Sequence, residues 1–247
     1  MGMQQFGAEA DNRWSCDEAY AWHRRQPWLV GCNFIPSSAI NQLEMWQAGS
    51  FDLDRIDREI ALAASAGMNA LRVYLHDLLF AADPQGFLDR IDAFLARAAA
   101  HRMKTMLVLF DSCWDPHPAL GPQREPHPGI HNSGWVQSPG VAALADTAQH
   151  PRLRAYVEAV VARFADDDRV LAWDVWNEPD NGPEVDKCDT DELHAKAAMV
   201  VPLLAQAFHW ARAQQPVQPL TSAIWLGDWS SPNHLSLIQA VQIGHSD

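Results

Sequence analysis

Apolar residues follow two rhythms along this chain, short unbroken runs and longer stretches spaced every three to four residues. WLVGCNF at 28–34 reads as a short buried strand. Residues 53–66 place Leu53, Ile56, Ile60 and Ala63/Ala64 at helical spacing, with Asp52 as the cap and Gly67 as the stop. NALRVYL at 69–75 is the next strand. Residues 86–100 form an amphipathic helix through Phe87, Leu88, Ile91, Phe94, Leu95 and Ala98. KTMLVLF at 104–110 is continuously apolar, as in a strand covered on both faces. A Pro-, Gly- and His-rich loop over 111–150 is long enough to carry a function. A helix at 152–165 then leads to a strand at 169–176. A helical region at 190–215 follows, which Pro202 should kink or split. PLTSAIW at 219–225 is another strand, and 232–244 another helix, beginning near Pro232 or Asn233.

The pattern is β-α repeated, which demands parallel strands and right-handed crossovers. Two α/β folds compete, an open doubly wound sheet and a (β/α)8 barrel. GCNFIPSS after the first strand does not fit the GxGxxG phosphate turn. Polar residues recur at strand ends: Asn33, Arg72 then His76, Asp111, Asn177-Glu178, and Trp225 then Asp228. In a barrel those ends gather on one side, where active sites are built. The expectation is therefore a TIM-barrel-type domain over 1–247, with residues 1–27 as an N-terminal extension. Only about five β-α units are legible. Five parallel strands cannot close a barrel, so the first and fifth keep unpaired edges. Three outcomes stay open: a truncated product, a dimer through the open barrel edge, or rearrangement into an open sheet.

With 48% hydrophobic residues, the chain can bury a sizeable core. Its net charge of −13 argues against nucleic acid or an anionic membrane as partner. No apolar run approaches a membrane span of ~20 residues, and the N-terminus lacks a signal-peptide core. A soluble protein is expected, either cytoplasmic as given or already trimmed. Cys16, Cys32, Cys113 and Cys188 are scattered and form no CxxC pair, which favours reduced thiols.

The stretch WDVWNEPDN, 173–181, ends an apolar strand on a carboxylate. NEP at the end of the fourth strand, Arg72 in NALRVYL on the second, and Gly31-x-Asn33 on the first resemble glycoside hydrolase family 5, a family of retaining glycosidases. The resemblance runs from about Trp28 onward. It implies a (β/α)8 barrel, a β-linked glycan as substrate and no cofactor. It also implies Glu178 as general acid/base, Asn177 as the partner of the sugar 2-hydroxyl, and Arg72 as support for the nucleophile. The chemistry fits: a glycosidic oxygen needs a proton to leave, and a Glu in a partly desolvated cleft can hold one. The family's nucleophile lies on a seventh strand, for which this sequence offers no counterpart. Asp111 and Asp228 are poor substitutes. An inactive carbohydrate-binding remnant is thus the alternative to a working hydrolase.

Trp46, Trp114, Trp135, Trp176, Trp225 and Trp229 fall near strand ends or in the loops after them. Sugar C–H faces stack on aromatic rings, so Trp114, Trp176 and Trp225 are candidate subsites, with ordinary packing as the competing explanation. His76 shares the strand side of Arg72 and Tyr74 and is a further candidate for substrate contact or a structural hydrogen bond. Asp111, Cys113, Asp115, His117, His127 and His131 fit no metal-ligand spacing, and no metal is expected. Ser37-Ser38 and Ser230-Ser231 have no His/Asp partner at recognisable spacing.

Overall fold

The computed structural model describes residues 12–181, 190–225 and 227–247, with backbone alone for 190–195. Cys188 lies outside them. The strands are β1 (Gly31–Asn33), β2 (Ala70–Tyr74), β3 (Lys104–Asp111), β4 (Val170–Asn177) and β5 (Leu220–Ala223). The helices are α1 (Cys16–Arg25), α2 (Gln42–Trp46), α3 (Leu53–Ser65), α4 (Asp77–Ala82), α5 (Pro84–Ala100), α6 (Val141–Ala145), α7 (His150–Arg163), α8 (Thr190–Arg212) and α9 (Leu237–His245).

All strand pairs are parallel, and the sheet order is β1-β2-β3-β4-β5. A doubly wound sheet reverses its order at a switch point. This sheet never does, so it is the strand succession of a (β/α) barrel, present in part. The register pairs Asp111 with Asn177 and Asn177 with Ala223, which brings the C-terminal ends of β3, β4 and β5 together.

The main core lies between the sheet's outer face and its helices. Val73, Leu107, Leu109, Trp173 and Val175 meet Ile56, Ile60, Phe87, Ile91, Phe94, Val157, Val160 and Phe208, all fully buried. Burial of side chains this size stabilises by about 1.5–3 kcal/mol each before entropy is counted. The expected cap and stop of α3 are both present. The Asp52 side chain accepts the Arg55 N–H, and Gly67 follows at a φ of 89°.

Several elements depart from the sequence-based expectation. β1 is three residues long and exposed rather than a buried strand, because it sits at the sheet edge with β2 as its only strand neighbour among the described residues. Pro202 lies inside α8, which continues through it. Val200, Val201, Leu203 and Leu204 around it are buried, and their packing outweighs the ~3 kcal/mol helix penalty of proline. The last helix begins at Leu237 rather than near Pro232, because Ser236 and Gln239 form a reciprocal capping box there. The 1–27 extension contains an ordered helix. Ser15 and Glu18 cap α1 reciprocally, and Trp22 packs on Ala70, Met106, Leu171 and Ala172 of the sheet's inner face. An open cavity of about 590 Å³ remains between them, lined partly by Trp14, Tyr20 and Leu220.

The carboxylate of Asp247 ties the segment before α1 to β5 and α8. It accepts from the backbone N–H groups of Trp14 (2.8 Å) and Leu220 (2.9 Å) and pairs with Arg212 (2.9 Å). No helix among the described residues is long and apolar enough to cross a membrane.

Candidate active site

The C-terminal ends of β2, β3 and β4 assemble a polar cluster around one arginine. Arg72 occupies an inner-face position in the middle of β2, where alternation separates it from the core-facing Leu71 and Val73. Its Nε donates to Asp174 Oδ2 at 3.1 Å, and Nη2 donates to the same oxygen. Nη2 also donates to Asn177 Oδ1 at 2.7 Å, and Nη1 reaches Asn33 Oδ1 at 3.3 Å and the Tyr74 hydroxyl. Asp174 is buried, and its burial pushes the carboxyl above the ordinary range against the pull of Arg72. Burial likewise pushes the Tyr74 hydroxyl up, so it stays protonated.

Asn177 is the hinge between this cluster and Glu178. Its Oδ1 faces Arg72, and its Nδ2 donates to Asp111 Oδ1 at 2.8 Å and Cys113 Sγ at 3.3 Å. The amide is thereby oriented at both ends. Glu178 follows at a φ of 46°, a backbone region that non-glycine residues rarely occupy. Its N–H donates to the Ala223 carbonyl at 3.2 Å, so β5 holds the bend. The half-buried Glu178 carboxylate accepts from Asn181 Nδ2 at 2.7 Å and from the Cys113 thiol at 3.2 Å. Burial, with Asp111 and Glu178 adding, pushes that thiol up and keeps it a neutral donor. The ammonium of Lys196 on α8 donates to the Ser112 carbonyl at 3.2 Å and to the Asn181 carbonyl, which fastens the loop beyond Glu178.

The structure thus brings Arg72, Asn177 and Glu178 together. It places two other candidates elsewhere. His76 is fully buried at the start of α4, where Nδ1 accepts the Leu78 N–H and lies 3.2 Å from Asp77. The strand ends at Tyr74, so His76 serves as a helix cap and presents no face to a ligand. Trp176 is also fully buried. A register irregularity between Asp174 and Asn177 sends its ring into the core against Phe110, with Nε1 donating to Ser112 Oγ at 3.0 Å. Packing explains it, as it does Trp46, buried among Phe51, Phe87 and Phe94. Trp114 and Trp225 are half-buried. Trp114 follows Cys113 at a φ of 69°, and Trp225 lies just beyond the end of β5. Trp135 stands edge-on to Tyr74 at 4.8 Å.

Asp174 and Asn181 enter the site although sequence reasoning does not place them there, and Cys113 joins them from the loop after Asp111, which the sequence does place at a strand end on this side. Asp174 lies three residues before Asn177, an odd spacing that simple alternation would put on opposite faces, yet the register irregularity between the two leaves both in contact with Arg72. Asp111 carries a pH signature. Burial pushes its carboxyl up to about 6, opposed by the Asn177 and Cys113 hydrogen bonds and Arg72. A raised carboxyl binds its proton more tightly in the folded state. Its stabilising contribution is therefore complete below the unfolded value near 3.8 and is lost as pH rises through about 6. The difference is on the order of 2–3 kcal/mol. Asp111→Asn keeps the accepting oxygen and removes the charge. Its urea midpoint is expected to exceed wild type at about pH 8 and to match it near pH 4. A pH-independent offset would contradict the assignment.

No family model matches the sequence. Mannan endo-1,4-β-mannosidase A of Emericella nidulans is 28% identical over 107 residues, 43% of this chain and 24% of that protein. A probable mannan endo-1,4-β-mannosidase F of Aspergillus flavus is 26% identical over 113 residues, 46% of this chain and 21% of that protein. The chain thus spans about a quarter of the length of these curated relatives. Among solved structures, the β-mannanase of the blue mussel Mytilus edulis superposes with a TM-score of 0.53 at 12% identity, covering 88% of this chain and 67% of that one. The β-1,4-D-mannanase of Cryptopygus antarcticus gives 0.53 at 15% identity, covering 85% and 60%. At these identities the structural likeness speaks for the fold.

Proposed function

We infer that this chain belongs to glycoside hydrolase family 5 and that its site serves hydrolysis of a β-1,4-linked mannan. The observation that carries the reading is Glu178. It directly follows β4 on the side where a (β/α) barrel builds its active site, half-buried, with Arg72 and Asn177 ordered beside it. The substrate class comes from the relatives, which are named as mannan endo-β-mannosidases.

In this account Glu178 is the general acid/base. Its protonated carboxyl delivers a proton to the glycosidic oxygen as the C1–O bond breaks. Asn181 and Cys113 orient the carboxyl, and Arg72 and Asp174 fix Asn177. Retention needs a second carboxylate about 5–5.5 Å from the first. Asp111 and Asp174 are buried and engaged by Asn177 and Arg72, so neither is assigned that role. The seventh-strand position that the family resemblance assigns to the nucleophile has no counterpart among the described residues. The engagement of both buried carboxylates gives a second reading, a protein that binds the glycan without turning it over.

Both readings require the glycan to bind, and calorimetry tests this. Mannohexaose is expected to bind more tightly than cellohexaose, and Trp114→Ala or Trp225→Ala to weaken it by about 1–2 kcal/mol each if the rings stack on sugar faces. Absence of binding by folded protein would remove both readings.

A further inference from the structure

Asp111 is almost fully buried, yet only one of its carboxylate oxygens has partners. Oδ1 accepts from Asn177 Nδ2 at 2.8 Å and from the Cys113 backbone N–H at 3.1 Å. Oδ2 is buried and has no hydrogen-bond partner among the described residues. Asp111's backbone is also locked, since it exchanges N–H and carbonyl hydrogen bonds with Ser138 at 2.6 and 2.8 Å. A half-satisfied buried carboxylate is a poor device for stability alone. It is understandable where its geometry is needed by something else.

Two things depend on it here. The first is the orientation of Asn177. Arg72 can donate to Asn177 Oδ1 only while the amide nitrogen points away, and Asp111 is the acceptor that holds it so. The second is the turn 111–113. By accepting the Cys113 N–H, the Asp111 side chain closes a short turn of the kind Asp forms with the backbone two residues on. That turn carries the Cys113 thiol to 3.2 Å from Glu178 Oε2.

We propose that Asp111 is the positioning residue of the site: one carboxylate oxygen sets both the Asn177 amide and the turn that presents the Cys113 thiol to Glu178. It makes no contact with substrate and moves no proton in the reaction. The role rests on the reading of Glu178 as the acid/base only for its purpose; the geometry itself is independent of it.

The test compares Asp111→Ala with Asp111→Asn, which retains an accepting oxygen. Alkylation of Cys113 by iodoacetamide is followed by mass spectrometry, with the exposed Cys16 and Cys32 as internal controls. Both variants remove the charge of Asp111 beside the thiol, so their difference isolates the hydrogen bonds: Asp111→Ala is expected to label Cys113 about tenfold faster than Asp111→Asn, the equivalent of one lost hydrogen bond. The Asn177 side-chain amide resonances should shift in Asp111→Ala and return in Asp111→Asn. Labelling that rises equally in both variants would trace to the lost charge or a loosened fold and would overturn the proposal. Labelling and amide signals unchanged in Asp111→Ala, with the protein folded, would overturn the proposal. Neither readout involves a sugar, so a protein that fails to bind mannan would leave this result standing and lose only the hydrolase reading.

Discussion

Arg72→Ala is expected to lower stability by about 3–5 kcal/mol, because it leaves a carboxylate buried without its cation. Asp174 is 2% exposed at its side chain and receives two donors from Arg72. For a chain of this size the loss corresponds to a fall in melting temperature on the order of 10 °C. The same change frees the Asn177 carbonyl, so the site loses its order along with its stability. The deficit should shrink on acidification, since Asp174, already raised by burial, takes up a proton more readily once Arg72 is gone. Pairing Arg72→Met with Asp174→Leu should recover most of the loss, because an apolar pair carries no desolvation cost. Scanning calorimetry across pH reads all three results. An Arg72→Ala protein that melts with wild type at neutral pH would show that the pair contributes nothing.

The second large effect is on chemistry. Glu178→Gln should reduce any mannohexaose cleavage about 10²- to 10⁴-fold, the usual contribution of a general acid. Glutamine is nearly isosteric, and its oxygen can still accept from Asn181 Nδ2, so the fold and the binding of glycan should persist. A loss confined to the rate is the signature of a missing proton donor. A loss of binding would point to a structural role.

Much of this arrangement is legible in the sequence, and the failures have physical causes. The apolar runs over β2, β3 and β4 announce buried parallel strands, and the polar residues that end them locate Arg72, Asn177 and Glu178 on one side of the sheet. Asp174 is harder to see because it sits inside WDVW, where local pattern reads apolar and its partner is 102 residues away. Trp176 keeps strand alternation on paper, but the irregularity beside Asn177 reverses the face it takes. His76 reads as an extension of β2. The short helix α4 intervenes, and a helix that short has too few turns to show a period. The capping pattern Ser15-x-x-Glu18 was present for α1, yet the polar character of the segment concealed it. β1 departs for the opposite reason: an apolar run favours burial, and the edge position leaves the strand exposed.

The central claim is that Glu178 donates a proton to a mannan glycosidic oxygen. The most direct measurement incubates the protein and its Glu178→Gln variant with mannohexaose, with and without azide, and identifies the products by NMR. Azide stands in for a carboxylate on the opposite face of the sugar. Its nitrogen bonds to C1, the C1–O bond breaks, and the proton of Glu178 goes to the departing oxygen. The account predicts an α-mannosyl azide product from the wild-type chain and about 10²-fold less or lower from Glu178→Gln. Cleavage that is equal in the two proteins, or no azide product from a chain that binds mannohexaose, would contradict it.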